Sequence, residues 1–148
     1  MLWQGRSIRD DLRQFHADLA YIGHEPPLKI DFTAKENLRY WVGVRWRISR
    51  HEIDEALERV GASTWSDRPV RTLSAGQKRR VALAGLALMT VPVWLLDEPT
   101  TNLDKQGQML VGTLIEEHLG RGGLVIAAIH HDLSVRATAG RRLELTRE

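Results

Sequence analysis

Two continuous apolar runs, each closing on ionisable residues, constrain this chain more than any other feature. Val93-Trp94-Leu95-Leu96 ends in Asp97-Glu98-Pro99, and Leu124-Val125-Ile126-Ala127-Ala128-Ile129 ends in His130-His131-Asp132. Neither run alternates with polar residues, which is the pattern of strands in a covered parallel sheet. Between them Asp104 stands as an N-cap, a helical stretch runs to about Leu119, and Gly120, Gly122 and Gly123 break it. Strand, helix, strand in that order is a βαβ unit. Parallel strands deliver their C-terminal ends to one edge of the sheet, so Glu98 and His130 are expected to face one ligand.

The clearest helix opens at Ser74. Gln77 follows three positions later as a capping box, Val81, Ala84 and Leu88 fall at helical spacing, and Pro92 lies just past the end. A second capping box, Thr33 with Glu36, opens a helix to about Val42, and a third helix covers Glu52 to Val60 and stops at Gly61. Residues 61–72 read as a loop. Tyr21-Ile22 reads as a strand end, because Pro26-Pro27 shortly after it continues neither a ladder nor a helix. A weak last strand is expected over Arg142 to Leu145.

Length and composition fit one cytoplasmic domain. There are 148 residues, 43% of them hydrophobic, with a formal net charge of +2. That balance excludes a disordered polyelectrolyte and disfavours a nucleic-acid module, so no nucleic-acid partner is expected. The absence of cysteine removes disulfides, thiolate metal sites and cysteine nucleophiles together. No apolar run approaches membrane-spanning length, and the first residues do not read as a signal peptide.

Three places carry chemistry, and each has a structural alternative. Asp97-Glu98 ends a buried strand, where one carboxylate can hold a magnesium ion and the other can reach a nucleophilic water; the alternative is a turn with two solvated acids. Ser74-Ala75-Gly76-Gln77 presents free N–H groups, a hydroxyl and a glycine at a helix start, an anion site or simply a capped helix. His130 directly follows a strand and can bond a phosphate oxygen, or serve structure alone. Lys78, Arg79 and Arg80 read as a solvated face. His24, His130 and His131 have no metal-ligand spacing. The turn at Ser74 is expected at the far end of its own helix from the carboxylates, so that it serves a nucleotide on a partner subunit.

Taken in order, these segments resemble the ATP-binding subunits of ABC transporters. Leu73-Ser74-Ala75-Gly76-Gln77 with the following helix is similar to the ABC signature, and Val93 to Thr100 to Walker B with its glutamate. Thr101-Asn102-Leu103-Asp104 resembles the D-loop, and His130 the switch histidine. Trp3-Gln4-Gly5 with Ile8-Arg9, Tyr21-Ile22-Gly23-His24 with Lys29, and Thr33 to Leu38 resemble more narrowly the heme-exporter ATPases of cytochrome c maturation.

The resemblance implies an α/β fold of the P-loop NTPase class, ABC ATPase type, present without its N-terminal part. One partial ABC ATPase domain would span 1–148. Its helical subdomain would lie over about 30–72, and signature helix, Walker B, D-loop and switch histidine over 73–148. It further implies ATP and magnesium as ligands, with Asp97 and the Q-loop residue Glu25 at the metal. Glu98 would polarise water and His130 would contact the γ-phosphate. Ser74, Gly76 and Gln77 would close over a partner's nucleotide, with Asp104 communicating between sites. The implied partners are a second ATPase subunit, head to tail, and membrane-spanning exporter subunits, met at the cytoplasmic face of the inner membrane. Trp41 and Trp46 belong either to that docking surface or to the core.

Two departures accompany the resemblance. The Q-loop position carries Glu25 where the family has glutamine, which adds charge and removes a donor. No G-x-x-x-x-G-K-[ST] phosphate loop occurs in the 148 residues. These residues alone are therefore expected not to hydrolyse ATP and to leave part of the sheet uncovered. Two other readings stay open: a subunit of a different ABC transporter, and a non-catalytic fragment that only binds partners.

Overall fold

The computed structural model describes residues 2–130 and 135. The expected strand at Arg142–Leu145, and His131, lie outside the described residues. The chain begins with a two-stranded hairpin, β1 (Leu2–Trp3) and β2 (Arg6–Ser7), paired antiparallel. Its turn, Gln4-Gly5, holds both residues at positive φ (49° and 79°), the twist that suits a two-residue hairpin. A short helix α1 (Leu12–Ala17) leads into β3 (Leu19–Ile22).

Helices α2 (Ala34–Gly43) and α3 (Arg50–Arg59) follow, and both pack on α4 (Ala75–Leu88). All three open with complete capping boxes: Thr33 with Glu36, Ser49 with Glu52, and Ser74 with Gln77. The middle box places the start of α3 two residues ahead of the expected Glu52, because Ser49 accepts from the Glu52 N–H and Glu52 accepts from the Ser49 N–H. Strand β4 (Val93–Asp97), helix α5 (Lys105–Gly120) and β5 (Leu124–Ala128) complete the expected βαβ unit.

The larger sheet has the order β3-β4-β5 and is parallel throughout. Its register pairs Ile22 with Leu96 and Asp97 with Ala128, so the three strands end along one edge. One face is covered: Ala20, Ile22, Trp94 and Leu96 are buried in a core shared with α4 and α5. On the alternate positions Tyr21, Leu124 and Ile126 are about half exposed, and no described element covers that face. Among the described residues, then, part of the apolar sheet is uncovered as expected, while the cover on both faces that the unalternated runs suggested is present on one face only. Trp41 and Trp46 pack against the core, and Arg45 lies over the Trp46 ring at 4.5 Å. A Cβ on Gly85 would meet the Trp41 ring at 2.4 Å, so the absence of a side chain there lets α2 and α4 close.

His118 of α5 is buried beneath this sheet. Its ring stacks on Trp94, centroids 4.0 Å apart and planes 12° from parallel, and its Nε2 lies 3.3 Å from the Pro92 carbonyl oxygen. Burial, the dominant cause, lowers its pKa below the ordinary 6.5, and the Pro92 carbonyl opposes that only in part. A histidine depressed in the folded state binds its proton more readily when unfolded. Its contribution to stability is therefore full above pH 6.5 and declines as pH falls toward the folded value. Urea midpoints followed downward from pH 7 should show this decline, and His118→Phe should flatten it. An identical slope in the variant would assign the acid sensitivity elsewhere.

Candidate active site

The site is built at the C-terminal edge of the parallel sheet. β4 ends at Asp97, and the next residue, Glu98, takes the left-handed conformation with φ 48°. Such a backbone is uncommon for a residue with a side chain and is found where geometry is over-determined by its surroundings. Here the Glu98 N–H donates to the Ala128 carbonyl at 2.9 Å, which extends the β4–β5 pairing past the strand. The Thr101 N–H closes the following turn on the Glu98 carbonyl at 3.1 Å.

The Glu98 carboxylate collects three neighbours. His130 Nε2 lies 2.7 Å from Oε1, the Thr101 hydroxyl donates to Oε2 at 2.9 Å, and His24 Nδ1 stands 3.7 Å from Oε2. A carboxylate only accepts, so the short contact requires the His130 proton on Nε2. The Thr101 bond is the largest cause holding Glu98 below its ordinary pKa of 4.5, and His130 and His24 add to it against partial desolvation. Glu98 is thus a fixed anion at neutral pH. Glu98 and His130, expected to face one ligand, are in contact with each other here.

Asp97, beside it, is half-buried, and its carboxylate makes no hydrogen bond or ion pair among the described residues. A hard, unengaged carboxylate at a strand end fits a magnesium ion, which takes one or two protein carboxylates and keeps the rest of its shell for water and phosphate. Glu25 does not join this cluster. It is exposed and its side chain makes no hydrogen bond or ion pair among the described residues, and its neighbour His24 is the side chain of that loop beside Glu98.

The Ser74 turn lies against the loop that follows Glu98. A Cβ on Gly76 would come 2.5 Å from the Asn102 carbonyl oxygen, so only glycine permits that approach. This corrects the expectation that the turn sits at the far end of its helix from the carboxylates. α4 runs back along the sheet, with Leu88 only a short link from β4 and Arg79 level with the loop after β3. Ser74 and Gln77 cap each other, at 2.9 Å from the Ser74 N–H to Gln77 Oε1 and 3.2 Å from the Gln77 N–H to Ser74 Oγ. Asp104 caps α5 through the Gly107 N–H at 2.8 Å and accepts from Arg80 at 2.9 Å.

The expected solvated face at 78–80 is also corrected at two of its three residues, Arg79 and Arg80. Arg79 is buried, donating from Nη1 to the Gly23 carbonyl at 2.8 Å and from Nη2 to the His24 carbonyl at 2.7 Å. Arg80 is mostly covered and joins the Val60 carbonyl to Asp104. Sequence reasoning missed His24, Thr101 and Arg79 as members of the site. His24 had one legible signal: it follows an expected strand end, so the parallel topology puts it on the same edge as Glu98 and His130.

Comparison with known proteins gives the following matches. Residues 1–101 match the family model described as ABC transporter. The chain is 45% identical over 135 residues to the cytochrome c biogenesis ATP-binding export protein CcmA of Methylococcus capsulatus, covering 90% of this chain and 65% of that protein. It is 42% identical to the protein of the same name from Vibrio vulnificus strain YJ016, covering 97% of this chain and 70% of that protein. Most of the first relatives are spanned over 60–65% of their length. The fold matches a dimeric post-hydrolysis state of the ATP-binding cassette MJ0796 bound to ADP and Pi, at 22% identity and a TM-score of 0.73, covering 88% of this chain and 60% of that one.

Proposed function

The chain belongs to the ABC transporter family, and from that premise we propose that it is the ATP-binding part of an ABC-type heme exporter acting in cytochrome c maturation. The observation that carries the reading is the 2.7 Å contact between Glu98 and His130 at the edge where three parallel strands end. The relatives named as cytochrome c biogenesis export proteins support the choice of exporter. The cargo, the partners and the activity of the whole protein are part of the proposal.

In this reading the nucleotide is substrate. Asp97 would hold magnesium, joined by Glu25 when the loop after β3 approaches, and the ion would neutralise phosphate charge. Glu98 would accept a hydrogen bond from the attacking water. Its two oxygens offer about four acceptor sites, and the described contacts leave room for one more. Because Glu98 is a weak base, it would orient and polarise the water rather than hold its proton, which suits a largely dissociative transfer. His130 would turn its Nε2–H from Glu98 to the γ-phosphate. Ser74, Gly76 and Gln77 would close over the nucleotide of a second, head-to-tail ATPase subunit, with Asp104 linking the two sites. The assembly would sit with membrane-spanning exporter subunits at the cytoplasmic face of the inner membrane. No helix among the described residues is long and apolar enough to cross a membrane.

The test joins this chain to the part of the Methylococcus capsulatus relative that it does not match. The extended chain is expected to turn over ATP and to restore cytochrome c maturation in a strain lacking its own exporter ATPase. The 148 residues alone are expected to do neither. An extended chain without turnover would sink the ATPase reading. Turnover without restoration would favour another ABC transporter.

A further inference from the structure

Arg79 presents an unusual cost. Arg79, a residue only 1% exposed, has no carboxylate within ion-pair distance of its guanidinium among the described residues, and the partners there are two neutral carbonyls. Burying a charge on neutral partners is expensive, and an aliphatic side chain of similar size would fill the same space without that penalty. Burial pushes its pKa down, while the negative charges of Asp97 and Glu98 push it back up, so the cation faces the site's carboxylates without pairing to either.

What the geometry supplies is orientation. The planar fork reaches two consecutive carbonyls, those of Gly23 and His24, and so fixes the two peptide planes that flank the His24 Cα relative to α4. The side chain projecting from that clamped segment is His24, which stands 3.7 Å from Glu98 Oε2. That distance is beyond a hydrogen bond and within the range of an ion pair when the ring is protonated. His24 is itself largely exposed, so little besides its backbone sets where its ring points.

We propose that Arg79 is a positioning residue: it ties the helix that opens at Ser74 to the loop after β3, and through the His24 backbone it sets the second histidine of the Glu98 carboxylate. The proposal gives the Ser74 turn a path to Glu98 within one subunit. Arg79 lies little more than a helical turn from Ser74 on α4, so displacement of that helix moves the Gly23-His24 peptide and changes what Glu98 faces. The inference rests on the reading of Glu98 as the residue that orients water. Its test uses no nucleotide, so failure of the ATPase reading leaves the result interpretable.

The experiment follows the ring signals of His24 and His130 by NMR in the 148-residue chain labelled at histidine. Glu98→Gln is expected to move both sets of signals. In an Arg79→Gln background the His24 response should shrink at least about threefold, while the His130 response persists as an internal control. Arg79→Lys keeps the charge but reaches only one carbonyl, so it should not rescue the His24 response. An undiminished His24 response in both backgrounds, or full rescue by lysine, would overturn the proposal. One measurement needs no variant. The Arg79 Nη protons of the unmutated chain should give separate, slowly exchanging signals, and a single averaged, rapidly exchanging signal would overturn the clamp itself.

Discussion

Glu98→Gln in the extended, ATPase-competent chain should lower kcat by about 10²–10⁴-fold, the range associated with losing a positioned acid–base group. Nucleotide affinity should hardly change. The substitution keeps the shape and one oxygen but removes the charge. It also sets an amide N–H₂ among groups that already donate. The His130 Nε2–H lies 2.7 Å from Oε1 and the Thr101 hydroxyl 2.9 Å from Oε2, so a single amide oxygen cannot serve both. The amide either faces its N–H₂ toward His130 or forces that ring to its other tautomer, and in each case a water loses its anionic acceptor. Thr101→Val should act differently. The Thr101 bond is the first cause of the low Glu98 pKa, so its loss should move the acid limb of the kcat profile upward toward 4.5 and leave the neutral-pH rate closer to the original. Steady-state turnover and fluorescence titration of a nucleotide analogue separate kcat from binding. A Glu98→Gln chain within tenfold of the original rate would remove Glu98 from the chemistry.

Much of this site was legible because topology follows from local pattern. The runs at Val93 and Leu124 with a capped helix between them require parallel strands ending together, and that alone brings Glu98 and His130 to one edge. The caps at Thr33 and Ser74 were visible as residue pairs and that at Asp104 as a single residue, and all three appear as bonds. The box at Ser49 has the same pattern, but it is embedded between Arg47 and His51, where charge obscures the helix start. Arg79 was hidden for a deeper reason. Helical periodicity reports which face is apolar, but it cannot show that a cation on that face finds two carbonyls on a loop far away in sequence. The position of Ser74 depended on the direction in which α4 returns along the sheet, which the helix's own sequence does not encode. Glu25 shows the converse limit. A family position can be read from its neighbours, yet which of two adjacent side chains meets the carboxylate is decided by backbone orientation, and here it is His24.

Trp94→Ala should be the most destabilising single change in the described chain, costing about 3–5 kcal/mol, as for a large aromatic removed from a packed core. Trp94 is fully buried on the central strand, where it stacks on His118 and forms part of the core shared with α4 and α5. Its removal leaves the His118 ring without its stacking partner and opens a space that the flanking strands cannot close without shifting register. The indole also carries a cost of its own. Trp94 Nε1 is buried and has no hydrogen-bond partner among the described residues. An unmet buried donor forfeits about 1–3 kcal/mol, so Trp94→Phe should recover much of what its smaller ring loses and fall within about 1.5 kcal/mol of the original. The contrast separates packing from polarity: a core held only by volume would rank the variants by size, with phenylalanine well below tryptophan. Because β4 ends at Asp97 and leads directly into Glu98, Trp94→Ala should weaken the Glu98–His130 contact, visible as loss of the His130 response to Glu98→Gln. Urea denaturation of the three chains decides the stability order. A Trp94→Ala cost below about 1.5 kcal/mol would mean that the site collapses freely and that β4 is fixed by its ladder bonds rather than by this ring.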